Sequence, residues 1–349
     1  MEKKKNKVLV LPELSGSFPN ACAYLRILCP LWQLVRDHNL QVILPSNIIR
    51  STTLEIANLL NDVVLISTQR TAPFQSPINR GLIEAAKLRQ IPIHWDLDDL
   101  PLGGRATIKE TDYMSSLRES IAEMRSTATY VTTSTQEIQI SLNEQGFPKV
   151  MEYRNSLPDG LWAPVNKPIE TNLLFYGLGG HQKGLEFVSN KLHKYNLRSL
   201  QRHNIRFFAV GPFSGKFHPN IERVAIPKGR FSYLAFASWL PTVITSGIGI
   251  IYHEDNTLNR AKSALKAIEY GAMGMATLSN RNQAVVSDEV RSYTKLVDDE
   301  VFIEEIIELA ADKKKVKSLA ADVFDYVNNQ RLLSRDSRSM SGFFLELLF

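Results

Sequence analysis

Two cysteines in 349 residues leave little room for disulfide chemistry. Cys22 and Cys29 fall in a stretch with helical periodicity, roughly 10 Å apart at the helical rise and so beyond disulfide reach. No Cys/His set has zinc-site spacing. No apolar run approaches the roughly 18 residues that a membrane span needs. The Asn-x-Ser/Thr acceptor pattern is missing, and the opening MEKKKNKVLVLPEL runs straight into a strand without a secretion-signal cleavage pattern. These absences lead to the expectation of a reducing, cytoplasmic setting. A Gly-x-Ser-x-Gly nucleophile turn and a Walker lysine are also lacking. The net charge of +5 suits a phosphorylated ligand, an anionic membrane surface or nucleic acid, and selects none of them. The lysine runs at 3–5 and 313–315 read as solvated faces, so no nucleic-acid partner is expected.

What is present is the composition of a soluble globular protein, 44% hydrophobic and 22% charged, at a length suited to two domains. Short β-branched runs alternate with helical patterns throughout. The strands are KVLVLPEL, QVILPS, VVLIST, IPIHWDLDD, YVTTST and KVMEYRNS, then NLLFYG, IRFFAVGP, IERVAIP, SGIGIIYH, MATLSN and YTKLV. Strands separated by helices imply βαβ units, and strands with little alternation imply parallel sheets covered on both faces. The stretch 155–172 holds three prolines and no periodicity, as a linker would. The expected fold class is therefore α/β: two doubly wound, Rossmann-like parallel-sheet domains. Residues 1–160 form the first, 161–172 the linker and 173–330 the second. Ligands of such folds sit beyond the carboxyl ends of the strands, so the site is expected in a cleft between the domains. The last stretch, 331–349, reads as a terminal helix packing back on the body. The rival reading is a membrane-surface anchor with Arg331, Arg335 and Arg338 at lipid headgroups.

Four segments could carry chemistry. In NTLNRAKSALKAIEYGAMG, residues 256–274, helical periodicity places Arg260, Lys262 and Lys266 in the first turns, where the helix dipole disfavours cations. Lys262 and Lys266 also repel each other at a spacing of four. A phosphate there would meet backbone N–H groups, the Ser263 hydroxyl and two ammonium groups together. Glu269, roughly 10 Å from Lys262 along such a helix, would suit the ribose of the same nucleotide. A solvated basic face with one salt bridge is the alternative. In LLFYGLGGHQKGLEFV, residues 173–188, Gly177, Gly179 and Gly180 let the backbone approach a ligand, although the dinucleotide glycine spacing is absent. A plain strand–helix turn is the alternative. In LPELSGSFPNACAYLRILCPLWQL, residues 11–34, a strand ends in a Ser/Gly loop before a helix. In PIHWDLDDLP, residues 92–101, Asp96, Asp98 and Asp99 cluster at a strand end, with His94 just before them. Alternation puts His94, Asp96 and Asp98 on one face. The D-x-D spacing invites a metal reading; the carboxylates could instead orient a substrate hydroxyl or take its proton, or form a capped, solvated turn.

The string N-x-x-K-S-x-x-K-x-x-E-Y-x-x-x-G, carried by Asn259, Lys262, Ser263, Lys266, Glu269, Tyr270 and Gly274, resembles the donor-site helix of retaining GT-B glycosyltransferases. The likeness is to glycosyltransferase family 4, of the type found in surface-polysaccharide and O-antigen assembly. It implies that Glu269 holds the nucleotide ribose and that Lys262 with Ser263 holds the diphosphate. Many members carry a second glutamate at the position of Ala261, so sugar contacts would fall to Glu254, Asp255 or Asn256. The segment at 173–188 is similar to the family's phosphate-reaching loop, with Lys183 before Gly184 in place and His181 where an arginine is usual. Gly16 matches a family glycine loop over the donor phosphates, and Arg26 with Pro30 resembles an R-x-x-x-P pattern of surface-polysaccharide enzymes. Many of those members also carry a D-x-D-D string, and GT-B enzymes generally need no bound metal. The resemblance implies a glycosyltransferase moving a sugar from a nucleotide-diphosphate donor to a glycan, lipid-linked or other hydroxyl acceptor, with no cofactor. A GT-B epimerase and a non-catalytic GT-B module partnering an active transferase are the rival readings.

Overall fold

A computed structural model describes residues 6–45, 58–100, 112–164, 172–177, 181–195, 205–244 and 246–349. The chain divides into two compact units. The first comprises Met1–Pro158, Ala261–Ser263 and Asp336–Phe349; the second comprises Asp159–Arg260 and Ala264–Arg335.

In the first unit, β1 (Asn6–Leu11) leads through a small hairpin, Leu14–Ser15 with Phe18–Pro19, into a helical run, α1. This run consists of Ala21–Ala23, a π-helical turn at Tyr24–Leu28, and Cys29–Asp37. Then come β2 (Leu40–Ile43), β3 (Val63–Gln69), α2 (Pro77–Leu88), β4 (Ile93–Leu97), α3 (Asp112–Thr127), β5 (Tyr130–Thr133), α4 (Gln136–Glu144) and β6 (Val150–Glu152). The sheet order is β2-β1-β3-β4-β5-β6, all parallel. Local chemistry starts the helices. Asn20 caps α1 by accepting from the Ala23 N–H, Ser76 caps α2 just before Pro77, and Thr135 caps α4. The helix expected near 52–60 lies mostly outside the described residues.

In the second unit the elements are β7 (Asn172–Tyr176), α5 (Gln182–Leu192), β8 (Arg206–Val210), β9 (Ile221–Val224), α6 (Tyr233–Val243), β10 (Ile248–Ile251), α7 (Thr257–Arg260), α8 (Leu265–Ala272), β11 (Ala276–Asn280), β12 (Thr294–Val297), α9 (Phe302–Ala311) and α10 (Lys313–Gln330). The parallel order is β9-β8-β7-β10-β11-β12, the doubly wound order of nucleotide-binding sheets. Such sheets present ligands with a crevice where the winding reverses: between β1 and β3 in the first unit, and between β7 and β10 in the second.

Three expectations are sharpened. The helix expected over 258–272 is broken into α7 and α8. A continuous helix would offer the Ala261 carbonyl to the Leu265 N–H. Here Ala261 is buried in the first unit, and its carbonyl accepts the Thr135 hydroxyl at 3.0 Å. The segment read as a linker is partly built into the units. Asn155 and Ser156 are buried in the first and Trp162 in the second, while 165–171 lie outside the described residues. The terminal helix α11 (Met340–Leu348) buries Met340, Phe343 and Phe344 within the first unit. Arg331, which a membrane anchor would need outside, is 1% exposed and paired with Asp288 at 2.6 Å. Among the described residues no helix is long and apolar enough to cross a membrane.

Tyr270 fills the place where β7 and β10 part. Its hydroxyl accepts the Tyr176 N–H at 3.3 Å and shares its proton between the Leu174 and Ile250 carbonyls at 3.0 and 3.3 Å. The ring lies so close to β10 that a Cβ on Gly249 would come within 2.2 Å of it. Tyr270→Phe removes the hydroxyl and keeps the ring. We expect a loss of about 1–3 kcal/mol, for buried backbone groups left unpaired, in urea denaturation.

Candidate functional site

The carboxyl edge of the first sheet is an ion network. Arg26, in the π-helical turn, is 1% exposed. Its Nε donates to both Asp96 oxygens at 3.0 and 2.8 Å and its Nη2 to Oδ1 at 2.8 Å. Its Nη1 donates to the Tyr153 carbonyl and the Asn155 amide oxygen at 2.7 and 2.9 Å. Asp96 also accepts the Thr132 hydroxyl at 2.6 Å. Next to it, Arg70 donates to Asp98 through Nε at 2.5 Å and Nη2 at 2.8 Å, to Glu13 at 3.2 Å and to Asp99 at 2.9 Å. The Arg70 backbone is left-handed, φ +44°, and its carbonyl is held by the Trp95 indole N–H at 2.9 Å.

These contacts separate residues that looked alike in sequence. Thr132 gives its only proton to Asp96, so at its 2.8 Å contact with His94 the imidazole Nε2–H must donate. Nδ1 then accepts from Ser67 at 2.9 Å. Burial, aided by the positive Arg26, lowers the His94 pKa to about 3 and keeps the ring neutral. A catalytic group must touch substrate, and neither His94 nor Asp96 exposes any surface. Both are enclosed within the edge, against the expectation that they meet an acceptor. Asp98 is 7% exposed, with both oxygens on Arg70. Asp99 has an open face, its side chain 31% exposed. Burial raises its pKa, Arg70 opposes the rise, Asp98 adds to it and Lys262 opposes it. Among the described residues no group of three or more His, Cys, Asp or Glu side chains is arranged to hold a metal ion. Gly16 lies in the turn of the small hairpin.

In the second unit, the start of α5 meets the end of β10. A Cβ on Gly184 would stand 2.8 Å from the Tyr252 carbonyl oxygen, so glycine lets this helix start close on the strand end. Lys183 reaches Glu254 at 3.4 Å, and His181 lies with its ring 5.4 Å from that of His253. Gly179 and Gly180 lie outside the described residues. Asn256 caps α7 by accepting the Asn259 N–H at 2.9 Å, while the Asn259 amide donates to the Glu254 carbonyl at 2.9 Å. Both asparagines therefore shape the loop after β10.

The break before α8 changes the motif's geometry. Lys262 and Ser263 precede the helix, and the Ser263 hydroxyl accepts the Asn155 amide at 2.7 Å. Lys262 and Glu269 thus do not share one helix, and Lys266 is the cation in the first turn of α8. Glu269 is 2% exposed. It accepts hydrogen bonds from the Tyr176 and Tyr233 hydroxyls and lies 3.4 Å from the Lys266 ammonium, which sits 3.6 Å from the centre of the Tyr176 ring. Burial and the adjacent carboxylate push the Tyr176 phenol well above its ordinary pKa, so it remains a proton donor. A cavity of about 240 Å³ opens at the other end of this sheet, lined by Ser246, Gly247, Gly274 and Phe324 among others; it touches none of these groups.

Sequence reasoning missed Arg70, Glu13, Tyr176, Tyr233 and Trp162. Arg70 left a signal, because VVLISTQR ends an apolar strand in a cation and buried aspartates on a neighbouring strand require one. The aromatic partners of Glu269 left no local signal.

No protein-family model matches the chain, and no curated protein matches it in sequence. Solved structures do resemble it. HepE of Anabaena, in complex with UDP and glucose, matches with a TM-score of 0.65 and 11% identity over 98% of this chain and 99% of its own. The fold is GT-B. OtsA in its apo form matches with a TM-score of 0.58 and 10% identity over 99% of both chains. UDP-GlcNAc 2-epimerase from Neisseria meningitidis, bound to UDP-GlcNAc, matches with a TM-score of 0.52 and 12% identity over 98% of this chain and 99% of its own. At these identities the likeness is one of fold.

Two outcomes test this account of the GT-B chain's first unit. Arg26→Met leaves Asp96 buried without its cation and should cost about 3–5 kcal/mol in chemical denaturation. For His94, the unfolded chain takes up a proton near pH 6.5 and the folded chain only near pH 3. Stability is therefore lost as pH falls through that window, at up to about 1.4 kcal/mol per pH unit. In His94→Gln, thermal melts across the same window should show a shallower acid limb than the wild type.

Proposed function

We propose that this GT-B chain is a glycosyltransferase that moves a sugar from a nucleotide-diphosphate donor to a hydroxyl acceptor. One observation carries the reading: the reversal point of the second sheet, where such sheets bind nucleotides, is flanked by Lys183, His181, Lys266 and Glu269, residue types suited to phosphates and a ribose. That HepE, of the same fold, holds UDP and glucose supports it.

In this reading the second unit binds the donor. Lys183, Lys266 and the amide groups at the start of α5 stabilise the departing diphosphate. Glu269 takes the ribose hydroxyls. The first unit presents the acceptor, and Asp99, the exposed member of its acidic cluster, orients the acceptor hydroxyl and receives its proton. The sequence resemblance points further, to a retaining enzyme of family 4 acting on a glycan or lipid-linked acceptor in surface-polysaccharide synthesis; the low cysteine content suggests a cytoplasmic setting, and Arg335 and Arg338 suggest peripheral contact at the membrane. No cofactor is required.

Calorimetric titration with UDP, GDP, dTDP and ADP should find one nucleotide that binds, and a screen of donors read by product mass should then identify the sugar. Lys183→Ala and Lys266→Ala should each weaken binding about tenfold, the loss of one charge-assisted contact. No binding by any nucleotide would overturn the donor site. The likeness to an epimerase favours a second reading, which predicts conversion of the donor sugar with no acceptor present.

A further inference from the structure

The Glu269 carboxylate is held by a chain of hydrogen bonds that begins outside the motif. Trp162, four positions into the second unit, is 2% exposed. Its indole N–H, a donor only, reaches the Tyr233 oxygen at 2.9 Å. That occupies an acceptor site on Tyr233 and leaves its single proton for Glu269 Oε1, 3.3 Å away. Tyr176 donates to the other carboxylate oxygen. Tyr233 opens α6, where the Ser232 hydroxyl caps the helix, so its backbone is fixed. The Trp162 ring packs against both phenols, centred 6.1 Å from Tyr176 and 6.0 Å from Tyr233.

A carboxylate offers about four acceptor positions. Two are taken by the phenols, and the Lys266 ammonium lies beside Oε2. When a diphosphate draws Lys266 away, two positions remain, as many as a ribose diol needs, provided the carboxylate does not rotate. The two phenols grip opposite oxygens and prevent that rotation.

We propose that Tyr233 and Trp162 are positioning residues. They fix the plane of the Glu269 carboxylate for the ribose diol, and they tie the segment at 159–164 to the occupancy of that carboxylate. The proposal rests on the ribose role of Glu269.

The test uses the full chain with 15N-labelled tryptophan, which gives four indole N–H resonances, that of Trp162 assigned by its loss in Trp162→Phe. Replacing the carboxylate with an amide in Glu269→Gln should shift the Trp162 resonance. In the Tyr233→Phe background the same replacement should leave it unmoved. Tyr233→Phe keeps the ring and should raise the UDP dissociation constant about tenfold while the melting temperature stays within a few degrees. A Trp162 resonance indifferent to Glu269→Gln overturns the relay. Wild-type UDP affinity in Tyr233→Phe overturns the positioning role. If the wild type binds no nucleotide, the ribose role is overturned, while the Glu269→Gln spectra still decide the relay.

Discussion

The first unit depends on one buried ion pair. Arg26 and Asp96 lie almost fully out of water, where an isolated charge is very costly and only close, multiply bonded pairing makes it tolerable. Through that pair α1 is fixed to β4. Through the remaining donors of Arg26 the same helix is fixed to the chain leaving β6, at the Tyr153 carbonyl and Asn155. Thr132 brings in β5, and His94 and Ser67 extend the network to β3. Parallel strands have their polar exits at one edge, and here a single guanidinium sets the spacing of those exits.

The neighbouring guanidinium, Arg70, does related work with a different result. It gathers Glu13, Asp98 and Asp99 and leaves one of them open to solvent. Four carboxylates thus share two guanidiniums, so the edge keeps a negative excess, and Asp99 is where it reaches the surface. The second unit departs from this pattern. Glu269, the one buried carboxylate among its described residues, is surrounded by two phenols and the Lys266 ammonium, and Lys183 is paired with Glu254. At this edge the charges are matched one to one, Lys183 with Glu254 and Lys266 with Glu269, where the first edge has more carboxylates than guanidiniums.

Much of this was legible in the amino-acid order. The strands announced themselves as β-branched runs, and parallel pairing followed from the helices between them. What was legible about the site was residue type: lysines, a glutamate and an aspartate cluster at strand and helix boundaries. What was not legible was the partner of each. Whether Asp96 or Asp99 meets solvent depends on Arg26 and Arg70, which are distant in the chain. The break between α7 and α8 depends on Thr135, 126 positions before Ala261. The helical periodicity of 256–274 is real, and a tertiary hydrogen bond interrupts it. Trp162, read as part of a linker from its proline-rich surroundings, is buried because an aromatic cluster has a place for it.

The helix α11 closes on the beginning of the chain: the Asn6 side-chain amide donates to the Leu348 carbonyl at 3.2 Å. The second unit is thus an insertion between the parts of the first. Residues of the second unit are therefore joined to the chain before Met340, Phe343 and Phe344, so the core of the first unit is completed by a segment that follows the second in the chain.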